Sequence, residues 1–232
     1  MSRKSIFVST ALLLLVVATT SFAQDKYQWK LEDTDDGCQI YTSPVAGMPY
    51  IAAKTICTVN ARIDVIGYIL RDVENFKEWM DDCKDTKMLK VIDDEKDVFI
   101  FWLRQHIPLL TDRDVVLKTE VNITPEKSVI KTVSTNEIPY DTDKGYVRMP
   151  SMTTEYTLEW VDKDHTKVTF MINPDLGKGL PKGISNSQIK KNPFKSIKGL
   201  KKMVKEQKYI DGAKTSKYAK LVDDAIKAGT LK

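Results

Sequence analysis

From residue 27 onward, apolar and polar positions alternate in short runs broken by turn residues. WKLEDTDDGCQIYT sets such runs on either side of Asp36-Gly37, a pair that signals a hairpin between extended segments. After a turn region from Pro44 to Pro49, YIAAKTICTVN supplies a third run rich in strand formers. The period then changes. In VIGYILRDVENFKEWM, Val65, Ile69 and Val73, or Ile66, Leu70 and Val73, fall at helical spacing, which predicts one or two short helices over 63–82. Trp79 and Met80 are expected to be buried where that block returns to a sheet. Strand-like runs resume at 87–93, 98–105, 112–124, 128–136, 146–149, 152–161 and 167–173, with turn signals between them. Connections this short cannot make parallel crossovers, so the pairing is expected to be antiparallel. Beyond the break from Gly177 to Gly183, residues 185–205 return to helical spacing, with Ile189, Ile197, Leu200 and Val204 on one side. Pro193 lies inside this helix and predicts a kink, having no N–H to give. A last short helix is expected over 215–227, ended by Gly229. The order predicts an α+β domain, a curved antiparallel sheet with one long helix across its open face.

Strand parity raises one question of charge. In TDRDVVLKTEVNIT, residues 113, 115, 117, 119, 121 and 123 share a face and read Arg, Val, Leu, Thr, Val, Ile. The apolar face is the inward one, so Leu117 and Arg113 point the same way. A guanidinium there needs hydrogen-bond acceptors, because its charge cannot be shed. Two readings stay open. Either the strand begins at 114 or 115 and Arg113 sits on the rim beside a carboxylate, or Arg113 lines a cavity and meets a ligand head group, a buried acid or water. The preceding run VFIFWL is apolar on both faces, which suits a central strand lining a pocket and makes Phe99, Phe101 and Trp102 candidate lining residues. Met152, Tyr156, Leu158 and Trp160 form a second stripe, and Val168, Phe170 and Ile172 a third. Each of these aromatics fits a plain core equally well.

Charge divides the chain. Residues 178–232 carry fifteen lysines and four acids, a net +11, whereas residues 24–177 carry nineteen basic and twenty-eight acidic side chains, a net −9. The basic tail contains the long predicted helix, whose Lys195, Lys198, Lys201 and Lys202 fit either a solvated face or contact with an anionic membrane surface. No stacking aromatics interleave with the lysines, so nucleic acid is not an expected partner. At the other end, Arg3 and Lys4 precede the apolar run Ala11 to Ala18, and Ser21-Phe22-Ala23 supplies small residues for cleavage. Residues 1–23 are therefore expected to be an export signal, followed by a soluble periplasmic or secreted chain. Three cysteines, Cys38, Cys57 and Cys83, do not make a disulfide framework. Cys38 and Cys57 could pair if their strands are neighbours, but buried thiols are the expectation. No CxxC is present and only His106 and His165 are available, so no metal or cofactor is expected.

The motifs WKLEDTDDGCQIYTSPVAG, DVENFKEWMDDCKDTKMLK, PLLTDRDVV, KGYVRMPSMTTEYTLEW, INPDLGKGLPKGISN and NPFKSIKGLKKM resemble, in order, those of the START family of steroidogenic-acute-regulatory-related lipid-transfer domains, in its exported bacterial form. The resemblance implies a helix-grip fold over about 24–207, with a hydrophobic cavity closed by a C-terminal helix, and leaves 208–232 as a basic helical extension. It also implies binding of a lipid or sterol-like molecule without chemistry, and it aligns Arg113 with an arginine that projects into the family's tunnel. Several members pair that arginine with an acid from the preceding strand, and FIFWLRQ offers none.

The expected function is thus a monomeric, non-catalytic carrier. Phe99, Phe101, Trp102, Leu117, Met152, Tyr156, Phe170 and Arg113 would line its cavity, and Ile189, Ile197 and Leu200 would face that cavity from a lid helix. One rival is a helix-grip enzyme of the aromatase, cyclase or hydrolase kind, which would need a positioned base or nucleophile. Neither histidine is an obvious cavity residue, and no GxSxG, HExxH, P-loop or Rossmann glycine pattern occurs. A third reading is an envelope interaction module with its cavity filled by side chains.

Overall fold

The computed structural model describes residues 26–108, 110–141 and 145–232; the expected export signal, 1–23, lies outside the described residues. The opening hairpin forms as its turn pair predicts, β1 (Lys30–Asp35) and β2 (Cys38–Ser43) flanking Asp36 and Gly37 at φ of 49° and 70°. Two positive φ values in succession match the right-handed twist of the flanking strands. β3 (Ala52–Val59), α1 (Ile63–Arg71) and a 3-10 turn (Val73–Glu78) follow. The chain continues through β4 (Cys83–Asp93), β5 (Val98–Gln105), β6 (Arg113–Ile123), β7 (Lys127–Ser134), the two-residue β8 (Val147–Arg148), β9 (Ser151–Asp162) and β10 (His165–Asp175). The strand order is β1-β2-β3-β10-β9-β7-β6-β5-β4. All pairs on that path are antiparallel. β8 departs from expectation by pairing parallel to the start of β6, Arg113 against Val147.

The inner face of this curved sheet carries the main core, and α2 (Lys182–Met203) lies across it. α2 buries Ser185, Ile189, Asn192, Pro193, Ser196, Ile197 and Leu200, one face at helical spacing, and it runs on through Pro193. Its seat is built from small and polar groups. Ser196 Oγ accepts the Asp81 N–H at 3.1 Å, and Asn192 Nδ2 donates to the Asp81 carbonyl at 2.9 Å. At Gly199 the helix backbone comes so close to the Trp79 carbonyl oxygen that an added Cβ would stand 2.0 Å from it.

The end of the chain belongs to the packed body. α3 (Gln207–Lys214), which the sequence pattern does not predict, and α4 (Lys217–Lys227) both lie on α1. Tyr209 is buried and its hydroxyl donates to Asp72 at 3.0 Å, while Arg62 on the α1 side binds Asp223 at 2.7 Å. The segment read as an extension, 208–232, is therefore held to α1 by apolar and polar contacts alike. Gly229 ends α4 with φ of 76°, as expected.

The cysteine expectation is overturned. Cys38 and Cys57 face each other across β2 and β3 with their Cα atoms 4.4 Å apart and are joined as a disulfide. A bridge closing a loop of 19 residues stabilises by about 3 kcal/mol in the chain-entropy account. Cys83 remains a buried free thiol.

Candidate functional site

Along the inner face of the sheet, beneath α2 and α1, lie three small cavities that share walls. The central one, about 40 Å³, is bounded by β5, β6, β7, β9 and β10 and by the 3-10 turn, with Phe76, Phe99, Phe101, Leu103, Leu117, Met152, Tyr156 and Phe170 in its lining. A cavity of about 30 Å³ adjoins it under α1 and α4, separated by Leu70, Phe99 and Ile130. A third, about 20 Å³, adjoins it at the start of α2, separated by Gln105, Met152 and Asn192. Together they form a row along the inner face of the sheet, each parted from the next by the side chains they share. Tyr156 and Phe170 stack at 3.9 Å with nearly parallel rings and form a flat stretch of the central cavity's wall.

Most of the predicted lining is found there. Phe99, Phe101, Leu117, Met152, Tyr156 and Phe170 all line the central cavity, and Ile189 lines the third. Ile197 and Leu200 are fully buried but take no part in these linings; they pack in the α2 seat instead. Trp102 is misplaced by the sequence reading. On β5 the inward residues are 99, 101, 103 and 105, so Trp102 points to the opposite face, where it joins Ile100 and Val116 in a separate apolar cluster and donates Nε1–H to Asp114 at 2.8 Å. By the same parity Gln105 faces inward, a signal the sequence carried and the reading passed over.

Arg113 does point inward, is 3 % exposed, and does not line any of the three cavities. It starts β6, as strand parity requires, and its partners are backbone carbonyls. Nε donates to Leu176 O at 3.3 Å, Nη2 to Lys178 O at 3.5 Å, and Nη1 to Thr111 O. The neighbouring Tyr50 hydroxyl donates to Gly177 O at 2.7 Å. The loop between β10 and α2 is thereby fastened at consecutive carbonyls. The flanking aspartates brace this arrangement: Asp112 accepts from His106 at 2.9 Å, and Asp114 takes the Trp102 indole and both Nε and Nη2 of Arg148. Arg113 is a clamp on the loop that leads into α2 and not the cavity residue the sequence suggests.

The polar lining concentrates where the central and third cavities meet. Among the described residues Gln105 Oε1, buried there, has no hydrogen-bond partner, and neither has the Tyr156 hydroxyl along the central wall. Burial raises the Tyr156 pKa well above its ordinary value, so the phenol stays a neutral donor and acceptor. Burial also pushes the Cys83 thiol up to about 12, which leaves it a protonated, unreactive wall group at neutral pH. Asp81 and Asp82, in the turn under α2, are both raised by burial, Asp82 to about 6 with the Asp81 carboxylate adding to the effect. Because the folded value exceeds the unfolded one near 4, the native state keeps a proton that the unfolded chain has lost between about pH 4 and 6, and this site costs stability as pH rises through that window. Asp82→Asn is expected to stabilise the protein by about 1 kcal/mol at neutral pH, discounted for the group's partial exposure, and by little near pH 4. Asparagine tolerates the left-handed backbone at this position, φ of 60°. Urea unfolding of both proteins at the two pH values checks this, and an equal gain at both would contradict it.

The lysines proposed for membrane contact are unequal. Lys195 lies 3.3 Å from Asp81, and Lys201 binds Asp36 at 3.1 Å. Lys198 stands over the Phe194 ring and, with Lys202, borders an open groove between α2 and the β1–β2 hairpin whose opposite wall carries Asp33, Asp35 and Glu78. Among the described residues no helix is long and apolar enough to cross a membrane, and no cluster of His, Cys, Asp and Glu could hold a metal ion.

A curved antiparallel sheet holding a C-terminal helix over enclosed apolar space defines a helix-grip protein. The START domain model matches residues 17–210, and the chain belongs to that family. It is 27% identical over 188 residues to the uncharacterized protein PA1579 of Pseudomonas aeruginosa, an alignment covering 80% of this chain and 89% of that one. Among solved structures it is similar to a STAR-related lipid transfer protein fragment of Xanthomonas axonopodis (TM-score 0.68, 23% identity, 77% of this chain and 99% of that one). Human STARD10 is similar in fold (TM-score 0.69, 19% identity, 79% and 75% covered).

Proposed function

We propose that this protein binds a hydrophobic molecule, a lipid or sterol-like ligand, in a segmented tunnel beneath α2, and carries it without chemically altering it. The observation that carries this reading is the row of three adjoining cavities walled by apolar side chains inside a START fold. At about 20–40 Å³ each, they lie far below the roughly 300 Å³ or more of a site that encloses a drug-sized ligand. Loading therefore requires the dividing side chains, Leu70, Phe99, Ile130 and Met152 among them, to move apart and α2 to yield. Long unbranched Met152 is well suited to that movement. Carrier action in place of catalysis is supported by two of the wall groups, the Cys83 thiol held protonated and the Tyr156 phenol held neutral.

Export to the cell envelope belongs to the same proposal. The Cys38–Cys57 bridge supports it, since such bonds persist in oxidising compartments. The small volume of each cavity favours a second reading, an interaction module whose interior is permanently filled. Titration with a fluorescent long-chain lipid separates the two: the carrier takes it up saturably at one per chain, and the filled module does not.

Contact with an anionic membrane is proposed for the free end of the lysine row. Charge reversal of Lys198 and Lys202 together is expected to reduce co-sedimentation with anionic vesicles at least threefold, each cation near such a surface contributing about 1 kcal/mol. Unchanged sedimentation would leave those lysines as a solvated helix face.

A further inference from the structure

Resting on the carrier reading above, we propose that the tunnel selects amphiphiles whose polar end carries no negative charge and donates a hydrogen bond, a long-chain alcohol in preference to the carboxylate or phosphate of the same chain. The selecting groups stand at the junction of the central and third cavities. Among the described residues no lysine or arginine lines either cavity, whereas Asp81 lines the central one and Asp82 the third. The nearest candidate for an anion receptor, Arg113, has its guanidinium committed to the Leu176, Lys178 and Thr111 carbonyls. Lys195, which approaches Asp81, does so from the outer groove. His106 lines the third cavity, with Nδ1 bound to Asp112.

An anionic head group entering here would lose its hydration, meet no lysine or arginine among the described lining residues and stand beside two carboxyl groups, of which Asp81 already engages Lys195. Burial of an uncompensated charge is among the costliest events in a protein interior. A hydroxyl meets the opposite situation. Gln105 Oε1 lines the central and third cavities, is shielded from solvent and has no donor among the described residues, so a ligand O–H satisfies an acceptor that is otherwise orphaned. The Tyr156 hydroxyl, equally without a partner, offers a second polar point further along the wall. Sites that leave a polar group unpaired discriminate strongly in favour of the ligand that pairs it. Of the threonines in the same lining, Thr119 and Thr132 already bond each other at 2.9 Å.

The test is displacement of a bound fluorescent lipid reporter from the full chain by 1-dodecanol and by dodecanoate, at a pH where the acid is ionised. Dodecanol is expected to displace the reporter at a concentration at least about tenfold lower, the factor that one satisfied buried hydrogen bond supplies. Gln105→Leu is expected to narrow that ratio at least fivefold. Gln105→Met, which keeps the length of the side chain without its amide, serves as the second variant should Gln105→Leu fold poorly, and it too is expected to narrow the ratio. Dodecanoate equal to or stronger than dodecanol overturns the proposal, as does a ratio unmoved by either variant. Absence of saturable reporter binding would instead overturn the carrier reading itself, and the selectivity would fall with it.

Discussion

Replacing Arg113 by leucine is expected to lower stability by about 2–4 kcal/mol, because hydrogen bonds from a charged donor are lost and buried carbonyls are left unpaired. In a domain of this size that corresponds to a fall of roughly 5–15 °C in Tm. The loss arises at the β10–α2 loop, where Arg113 donates to the carbonyls of Leu176 and Lys178 and to that of Thr111. Thermal unfolding of the two proteins measures it, and hydrogen exchange locates it: amides from Leu176 into the first turns of α2 should lose protection before those of β9 and β10. A ligand-contacting arginine would give the opposite pattern, near-normal stability with weakened binding, and that result would restore the cavity role.

Gly199→Ala is expected to be at least as damaging, costing about 3 kcal/mol or more. The new methyl group would collide with the Trp79 carbonyl oxygen, which is backbone and cannot rotate away. Either α2 lifts from the 79–82 turn, losing the Asn192 and Ser196 bonds to Asp81, or that turn is displaced. Gly183 supplies the comparison within the same helix, since nothing lies within 4 Å of its added Cβ. Gly183→Ala should be neutral or slightly stabilising, by up to about 1 kcal/mol. If both substitutions behave alike in urea unfolding, the close seating of α2 is wrong.

How far the molecule could be read from its sequence follows from which interactions are local. The Asp36-Gly37 hairpin, the strand runs and the apolar face of α2 depend on period and turn chemistry, and they appear where the pattern puts them. Parity likewise turned Arg113 inward. It could not reveal what meets the side chain, because the loop carbonyls at 176 and 178 lie more than sixty residues away, and a carbonyl has no residue-type signature. Trp102 was lost to an ambiguity: a strand apolar on both faces does not say which face holds the cavity, and the outer one is covered by Tyr140 and its neighbours. The Cys38–Cys57 bridge depends on the register of β2 against β3, a matter of tertiary pairing. α3 escaped because QKYIDGAK offers few apolar anchors and a glycine that reads as a breaker. That glycine is in place because the Tyr68 ring leaves no room for a Cβ, 2.6 Å from the nearest ring carbon.

Clamp, seat and segmented tunnel form one device: a lid helix fastened at its leading loop by Arg113 and near its middle by Gly199, Asn192 and Ser196, over apolar space that opens only when side chains part. This apolar space is the proposed seat of the ligand. Met152 lies between the central and third cavities, so Met152→Trp should plug the tunnel while adding only the one to three kcal/mol of strain typical of an overpacked core, about what a well-folded domain tolerates. The decisive measurement is fluorescent-lipid titration of the wild-type chain beside this variant, with folding of both verified by circular dichroism. Saturable binding at one per chain is expected in the wild type, with affinity at least about tenfold weaker in Met152→Trp, the loss of some 1.4 kcal/mol of binding energy. Equal affinity in the two proteins would contradict it.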